Sequence, residues 1–160
     1  MASIKWCCAQ KEGIRLIEPS DNLASGYMKM AEDAIGTMNR ERNYNPAFAV
    51  SACYYSMYYS LYSIMMKIGI KCEIHSCSLE FMRRFLNKFY SSEYIKIIER
   101  AFGCRGIAQY YVDKVVRRED SDFIMLKAPF FLSKSKEILS KINQKDIQEV
   151  RKGLSLFLPE

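Results

Sequence analysis

A chain of 160 residues is long enough to bury one core and too short to expect two independent ones. Its 49% hydrophobic and 26% charged residues exclude a disordered or low-complexity protein. The formal charge of +6 and a pI near 9.0 ease the approach of an anionic partner. Acidic neighbours are interleaved with the basic residues, as in Arg40-Glu41-Arg42, so a solvated surface accounts for the excess about as well.

The opening MASIKWCCAQKEG is too charged, and its apolar run too short, to act as an export signal. The six cysteines, Cys7, Cys8, Cys53, Cys72, Cys77 and Cys104, are therefore expected as reduced thiols of a cytoplasmic protein. Residues 1–19 read as an irregular arm ending at Pro19, and residues 20–160 as a single helical domain.

Ser20 or Asp21 offers an N-cap for a first helix to about Asn39, with Leu23, Tyr27, Met30, Ala34 and Met38 at helical spacing. Asn45-Pro46 starts the second, since Asn caps free amides and Pro has none to lose at the first helical position. This helix should run to about Lys67, with Gly69 as its stop. A short loop, IKCEIHS, leads to a helical stretch CSLEFMRRFLNKF and a turn at Ser91-Ser92.

A further helix is expected from Glu93 to about Phe102, punctuated by Gly103 and Gly106. The stretch after them, IAQYYVDKVVRRED, is helical or irregular. Ser121 then caps a helix that Pro129 should kink, and a short last helix begins near Asp146. The sum is an all-α bundle with short connections.

The stretch ACYYSMYYSLYSIMMKIG, residues 52–69, is the most unusual of the chain. From Asn43 to Met66 no residue is charged, yet Tyr54, Tyr55, Tyr58, Tyr59 and Tyr62 lie within it. The length suits a membrane span, but the tyrosine and serine hydroxyls do not, because unsatisfied polar groups are costly at bilayer depth. Ala52, Ser56, Ser60 and Ser63 form a small-residue stripe where a neighbouring helix can approach closely. The helix is read as the centre of the bundle or a subunit contact, with a minor alternative in which its tyrosines wall a nucleotide-sized cleft.

Several pieces, in order, resemble the HEPN domain family (higher eukaryotes and prokaryotes nucleotide-binding) in its small prokaryotic or archaeal form. They are YMKMAEDAI, the Tyr-Tyr pair in AVSACYYSMYYSLYSIMMKIGI, the histidine loop IKCEIHS, RAFGCRGIAQYYVD and APFFLSKSKEIL, together covering residues 22–142. The resemblance implies a HEPN-like bundle of about five helices, a homodimer in the cytoplasm, and RNA or nucleotide as ligand. It also implies a toxin paired with a minimal nucleotidyltransferase, or else a non-catalytic module.

The family's ribonuclease signature is an Arg a few residues before a His at a helix start. Here His75, the only histidine, is kept and the Arg is missing; Lys71 stands closer than the pattern wants and lacks the fork of Arg. Arg105, followed by Tyr110, resembles an Arg and Tyr that many small members carry, and would restore a polar site if packing brought it to His75. The candidate catalytic residues are thus His75, Arg105 and Lys71, and the candidate RNA- or nucleotide-binding residues Tyr58, Tyr110 and Tyr111. The missing Arg implies weak or absent metal-independent ribonuclease activity.

Cys72, His75 and Cys77 are zinc-ligand types, but their spacing is not that of a zinc knuckle, so neither metal nor cofactor is expected. A second class of function is a helical dimer acting as a non-catalytic protein-interaction scaffold.

Overall fold

The computed structural model describes residues 3–159. Among them seven helices form: α1 (Ile4–Ala9), α2 (Asp21–Glu41), α3 (Pro46–Ile68), α4 (His75–Phe85), α5 (Ser92–Tyr110), α6 (Arg118–Lys141) and α7 (Gln144–Ser155). An antiparallel ribbon, β1 (Arg15–Leu16) against β2 (Ile70–Lys71), is the other regular element. The all-α bundle is thus as expected, with more helices than the five of α2–α6. The additions are α7, foreseen as a short closing helix, and α1 within the arm.

Helix α3 is the axis of the bundle, packed by α2, α5 and α6. Its start follows from local chemistry: the Asn45 side chain accepts from the Phe48 amide at 3.2 Å, and Pro46 occupies the first turn. Its end follows as well. Gly69 takes φ +82°, a left-handed stop that an L side chain resists, and a Cβ there would lie 2.5 Å from the Ile17 carbonyl oxygen.

The small-residue stripe faces α2. Ser63 Oγ donates to the Ala24 carbonyl at 2.6 Å, and Ser60 Oγ to the Ser56 carbonyl at 2.7 Å. Ser56 Oγ is buried with no partner among the described residues. On an adjacent face Tyr27 of α2 meets Tyr62 edge to face, ring centres 4.8 Å apart. No helix among the described residues is long and apolar enough to cross a membrane.

Helix α4 takes in His75 and Ser76 of the expected loop and stops at Phe85, short of the expected Phe89, and two further boundaries differ for physical reasons. Helix α5 runs straight through Gly103 and Gly106 to Tyr110, because Ile97, Ile98, Ala101 and Cys104 form a continuous buried face. Burying that face outweighs a glycine penalty of about 1 kcal/mol each. Helix α6 begins at Arg118, before Ser121, with Glu119 and Asp120 in its first turn, where the dipole favours acids. Asp120 pairs there with Arg100 and Arg117 at 2.6 and 2.7 Å, and α6 is continuous through Pro129.

The arm is tied down at two places. At one, β1 pairs with β2, the Glu73 amide donates to the Glu12 carbonyl, and Arg151 of α7 donates to the carbonyls of Ile17, Ile68 and Gly69 at 2.8, 3.0 and 2.9 Å. At the other, Cys7 of α1 is joined to Cys77 of α4 by a disulfide. This corrects the expectation of six reduced thiols: α1 packs directly on α4 and brings two buried sulfurs face to face. Cys8, Cys53, Cys72 and Cys104 remain free thiols, all buried.

Candidate functional site

The loop after Gly69 is short because β2 turns immediately against β1. It delivers His75 to the first position of α4, beside the middle of α3. Ile74 stands at the N-cap without a side-chain hydrogen bond, so the first turn of α4 is held by contacts to α3 instead. The imidazole lies flat on Tyr58, ring centres 4.0 Å apart at an interplanar angle of 4°, and edge-on to Tyr55. Its Nδ1 is 2.7 Å from the Tyr54 hydroxyl.

The tautomer of His75 follows from burial. Tyr54 is fully buried, and desolvation pushes its phenol well above the ordinary tyrosine range, so it keeps its proton. That proton has no acceptor other than His75 Nδ1 among the described residues. The phenol therefore donates, Nδ1 accepts, and Nε2 carries the ring hydrogen. Burial, and secondarily the charge of Arg105, hold the imidazole pKa down to about 4, so at neutral pH it is uncharged.

The uninterrupted course of α5 places Arg105 opposite the same tyrosines. Its Nη2 donates to the Tyr55 hydroxyl at 3.0 Å, and its guanidinium carbon lies 5.7 Å from the Tyr54 ring centre and 5.2 Å from that of Tyr110. Arg105 Nε is buried with no partner among the described residues. Two hydrogen bonds, His75–Tyr54 and Tyr55–Arg105, joined by the edge-to-face rings of Tyr54 and Tyr55 at 5.5 Å, thus make a chain across α4, α3 and α5. It joins two of the site residues expected from sequence through two tyrosines read from sequence as part of the helix and not as part of the site. Tyr54 and Tyr55 sit four residues before Tyr58 and Tyr59, so their periodicity was visible, but not the neighbours they would meet.

The other candidates are distributed differently. Tyr58, beneath His75, has a hydroxyl 3.4 Å from Ser78 Oγ. With His75, Tyr27, Tyr59, Tyr62, Cys72 and Glu73, it lines a shallow depression of about 220 Å³. Lys71 lies on the ribbon, its ammonium 3.0 Å from Glu73, whose carboxyl is held below its ordinary range by that contact. Tyr110 is exposed beside Arg105. Tyr111 lies elsewhere, under the Lys114 ammonium at 4.1 Å, in a separate cleft with Pro46, Val50 and Val115.

Of the two cysteines flanking His75, Cys77 spends its sulfur on Cys7, and Cys72 Sγ lies 3.3 Å from the Ile74 carbonyl. Burial raises the Cys72 thiol above its usual range, which favours the neutral SH over the thiolate a metal requires.

This arrangement can donate hydrogen bonds to an anion or a flat polar ring, through His75 Nε2 and the unspent guanidinium edges of Arg105, among aromatic faces. It is poorly set to abstract a proton. The lone pair of His75 is already engaged by Tyr54, and releasing Nε2 as a base would leave the buried phenol proton unpaired.

No family model matches the chain. The chain is similar to an archaeal protein of Methanocaldococcus jannaschii named "Putative toxin MJ0142". The two are 29% identical over 121 residues, covering 72% of this chain and 82% of that protein.

Proposed function

We propose that this chain is a toxin-like, HEPN-type module that binds RNA at the His75 and Arg105 site and cleaves it weakly or not at all. The observation that carries the reading is the chain from His75 through Tyr54 and Tyr55 to Arg105. It supplies a cation, a neutral N–H donor and aromatic faces, which suit a phosphate and a base, yet it ties up the lone pair that strand cleavage would need. The similarity to a protein named as a toxin supports the toxin-like part. The resemblance of the chain to HEPN proteins supplies the rest: a homodimer in the cytoplasm, with a minimal nucleotidyltransferase as protein partner.

The test uses purified protein and an end-labelled single-stranded RNA, read by fluorescence anisotropy and on a denaturing gel. Binding should weaken about tenfold for Arg105→Ala, equivalent to one charge-assisted hydrogen bond of about 1.4 kcal/mol. It should also fall as salt rises. Absence of binding at low salt sinks the reading. Rapid metal-independent cleavage, abolished by His75→Ala, would show that the imidazole serves as a base after all.

A second reading, a non-catalytic interaction scaffold, is favoured by one observation. Tyr44 and Phe48 near the start of α3, and Tyr111, Val112 and Val115 in the loop before α6, expose apolar surface. Alanine replacements there that abolish capture of the nucleotidyltransferase, with RNA binding absent, would favour it over RNA recognition.

A further inference from the structure

We propose that Cys7 and Cys77 form a reductant-addressable crosslink that sets the position of His75. Closed, it clamps the arm helix α1 onto the first turn of α4; open, it releases that turn. This stands independently of what the site binds.

Cys77 lies two residues beyond His75, in the same turn of α4. That turn has no side-chain cap. Besides the stacking of His75 on Tyr58, three side-chain links tie it down: the Tyr54 contact to His75, the longer Tyr58 contact to Ser78 and the bond from Cys77 to Cys7. Of the three, only the last is covalent. It is also the one that reaches the arm.

The arm does not depend on sulfur alone. Residues 12–17 are held by the β1–β2 ribbon, by the Glu73 amide on the Glu12 carbonyl, by the Ile17 amide on the Gly69 carbonyl and by Arg151. Breaking the disulfide leaves that anchorage intact and leaves α1 held by the burial of Ile4 and Cys8 and by the Ile14 amide on the Cys7 carbonyl. A six-residue helix has little stability of its own, since isolated helices of that length do not persist in water. The crosslink therefore governs a local element and not the whole fold.

The chemistry is ordinary exchange with a dithiol reductant. One thiolate of the reductant attacks a disulfide sulfur and its second thiolate resolves the mixed disulfide; two electrons and the two thiol protons pass from the reductant to Cys7 and Cys77, which become thiols while the reductant becomes the disulfide. Two thiols relax from bonding distance to van der Waals contact, and the packing of α1 on α4 loses its covalent tie. Both sulfurs are buried, so attack requires α1 to fray first. Internal reshuffling is disfavoured: burial raises the thiols of Cys8 and Cys72, and each is kept protonated and unreactive.

His75, the only imidazole in the chain, reports directly. In the closed form its ring protons lie over the face of Tyr58 and resonate upfield of a free imidazole. On reduction of the wild-type protein by dithiothreitol they should move downfield, with the helical circular dichroism retained and the shift reversed on reoxidation. Cys77→Ser should show the reduced position without reductant, and Cys8→Ser should behave as wild type. Alkylation of unfolded, unreduced protein should label four thiols, those of Cys8, Cys53, Cys72 and Cys104. Six labelled thiols, unchanged His75 resonances on reduction, or collapse of the helical signal would each overturn the proposal.

Discussion

His75 should make the stability of the fold depend on pH between about 4 and 6.5. In the unfolded chain the imidazole takes up its proton at the ordinary value of 6.5, whereas burial, and then Arg105, hold it to about 4 in the fold. Between those values the unfolded state binds the extra proton, so stability is lost as pH falls through the window. Above the window both states are neutral; below it both are charged and the full penalty applies. At 1.36 kcal/mol per pH unit the window is equivalent to about 3 kcal/mol. Solvent still reaches the half-buried ring, and its screening reduces this to about 1.5 kcal/mol. The comparison is His75→Gln, which keeps hydrogen-bonding groups but does not titrate. Urea unfolding at about pH 7.5 and about pH 4 gives each protein's loss, and the carboxylates they share cancel in the difference. Wild type should lose about 1.5 kcal/mol more than the variant. Parallel losses would refute the argument that burial holds the ring neutral.

Three further outcomes are expected. Tyr54→Phe removes the donor to Nδ1 and should cost about 1–2 kcal/mol in urea unfolding, and nitrogen NMR of the lone imidazole should show mixed tautomers. Gly69→Ala forces a side chain into a left-handed residue crowded by the Ile17 carbonyl and should cost about 2 kcal/mol or more, seen as a lower thermal midpoint. The Cys7–Cys77 bond spans 70 residues, so the oxidised protein should be more stable than the reduced one by about 4 kcal/mol in urea.

What the chain reveals before it folds depends on how local the governing physics is. Asn45-Pro46 and Gly69 bound α3 through contacts within a few residues, and both ends lie where a reader of the sequence puts them. A reciprocal capping box of Asn143 and Asp146 starts α7 at Gln144, two residues before the Asp146 expected from sequence. Gly103 and Gly106 mislead because the face that overrides them is completed only by α3. Arg105 and His75 could be nominated from the resemblance, but their link runs through Tyr55, 50 residues from Arg105, and Tyr54, 21 residues from His75. Period shows which tyrosines share a face, and only packing shows what that face meets. Cysteine pairing is harder still. Six thiols permit many partners, and the choice of Cys7 with Cys77 depends on where α1 docks.

The grip of Arg151 on the carbonyls of Ile17, Ile68 and Gly69 reaches across 134 residues to the arm. During synthesis the arm and the end of α3 both leave the ribosome long before α7 exists, and the Ile68 carbonyl emerges without the guanidinium that will claim it. The carbonyls of Ile17 and Ile68 must remain hydrated until Arg151 arrives, whereas that of Gly69 already accepts from the Ile17 amide. The clasp therefore closes last: a chain cut before α7 keeps the ribbon and its backbone bonds but lacks the cation that gathers the arm, the end of α3 and α7 at a single point.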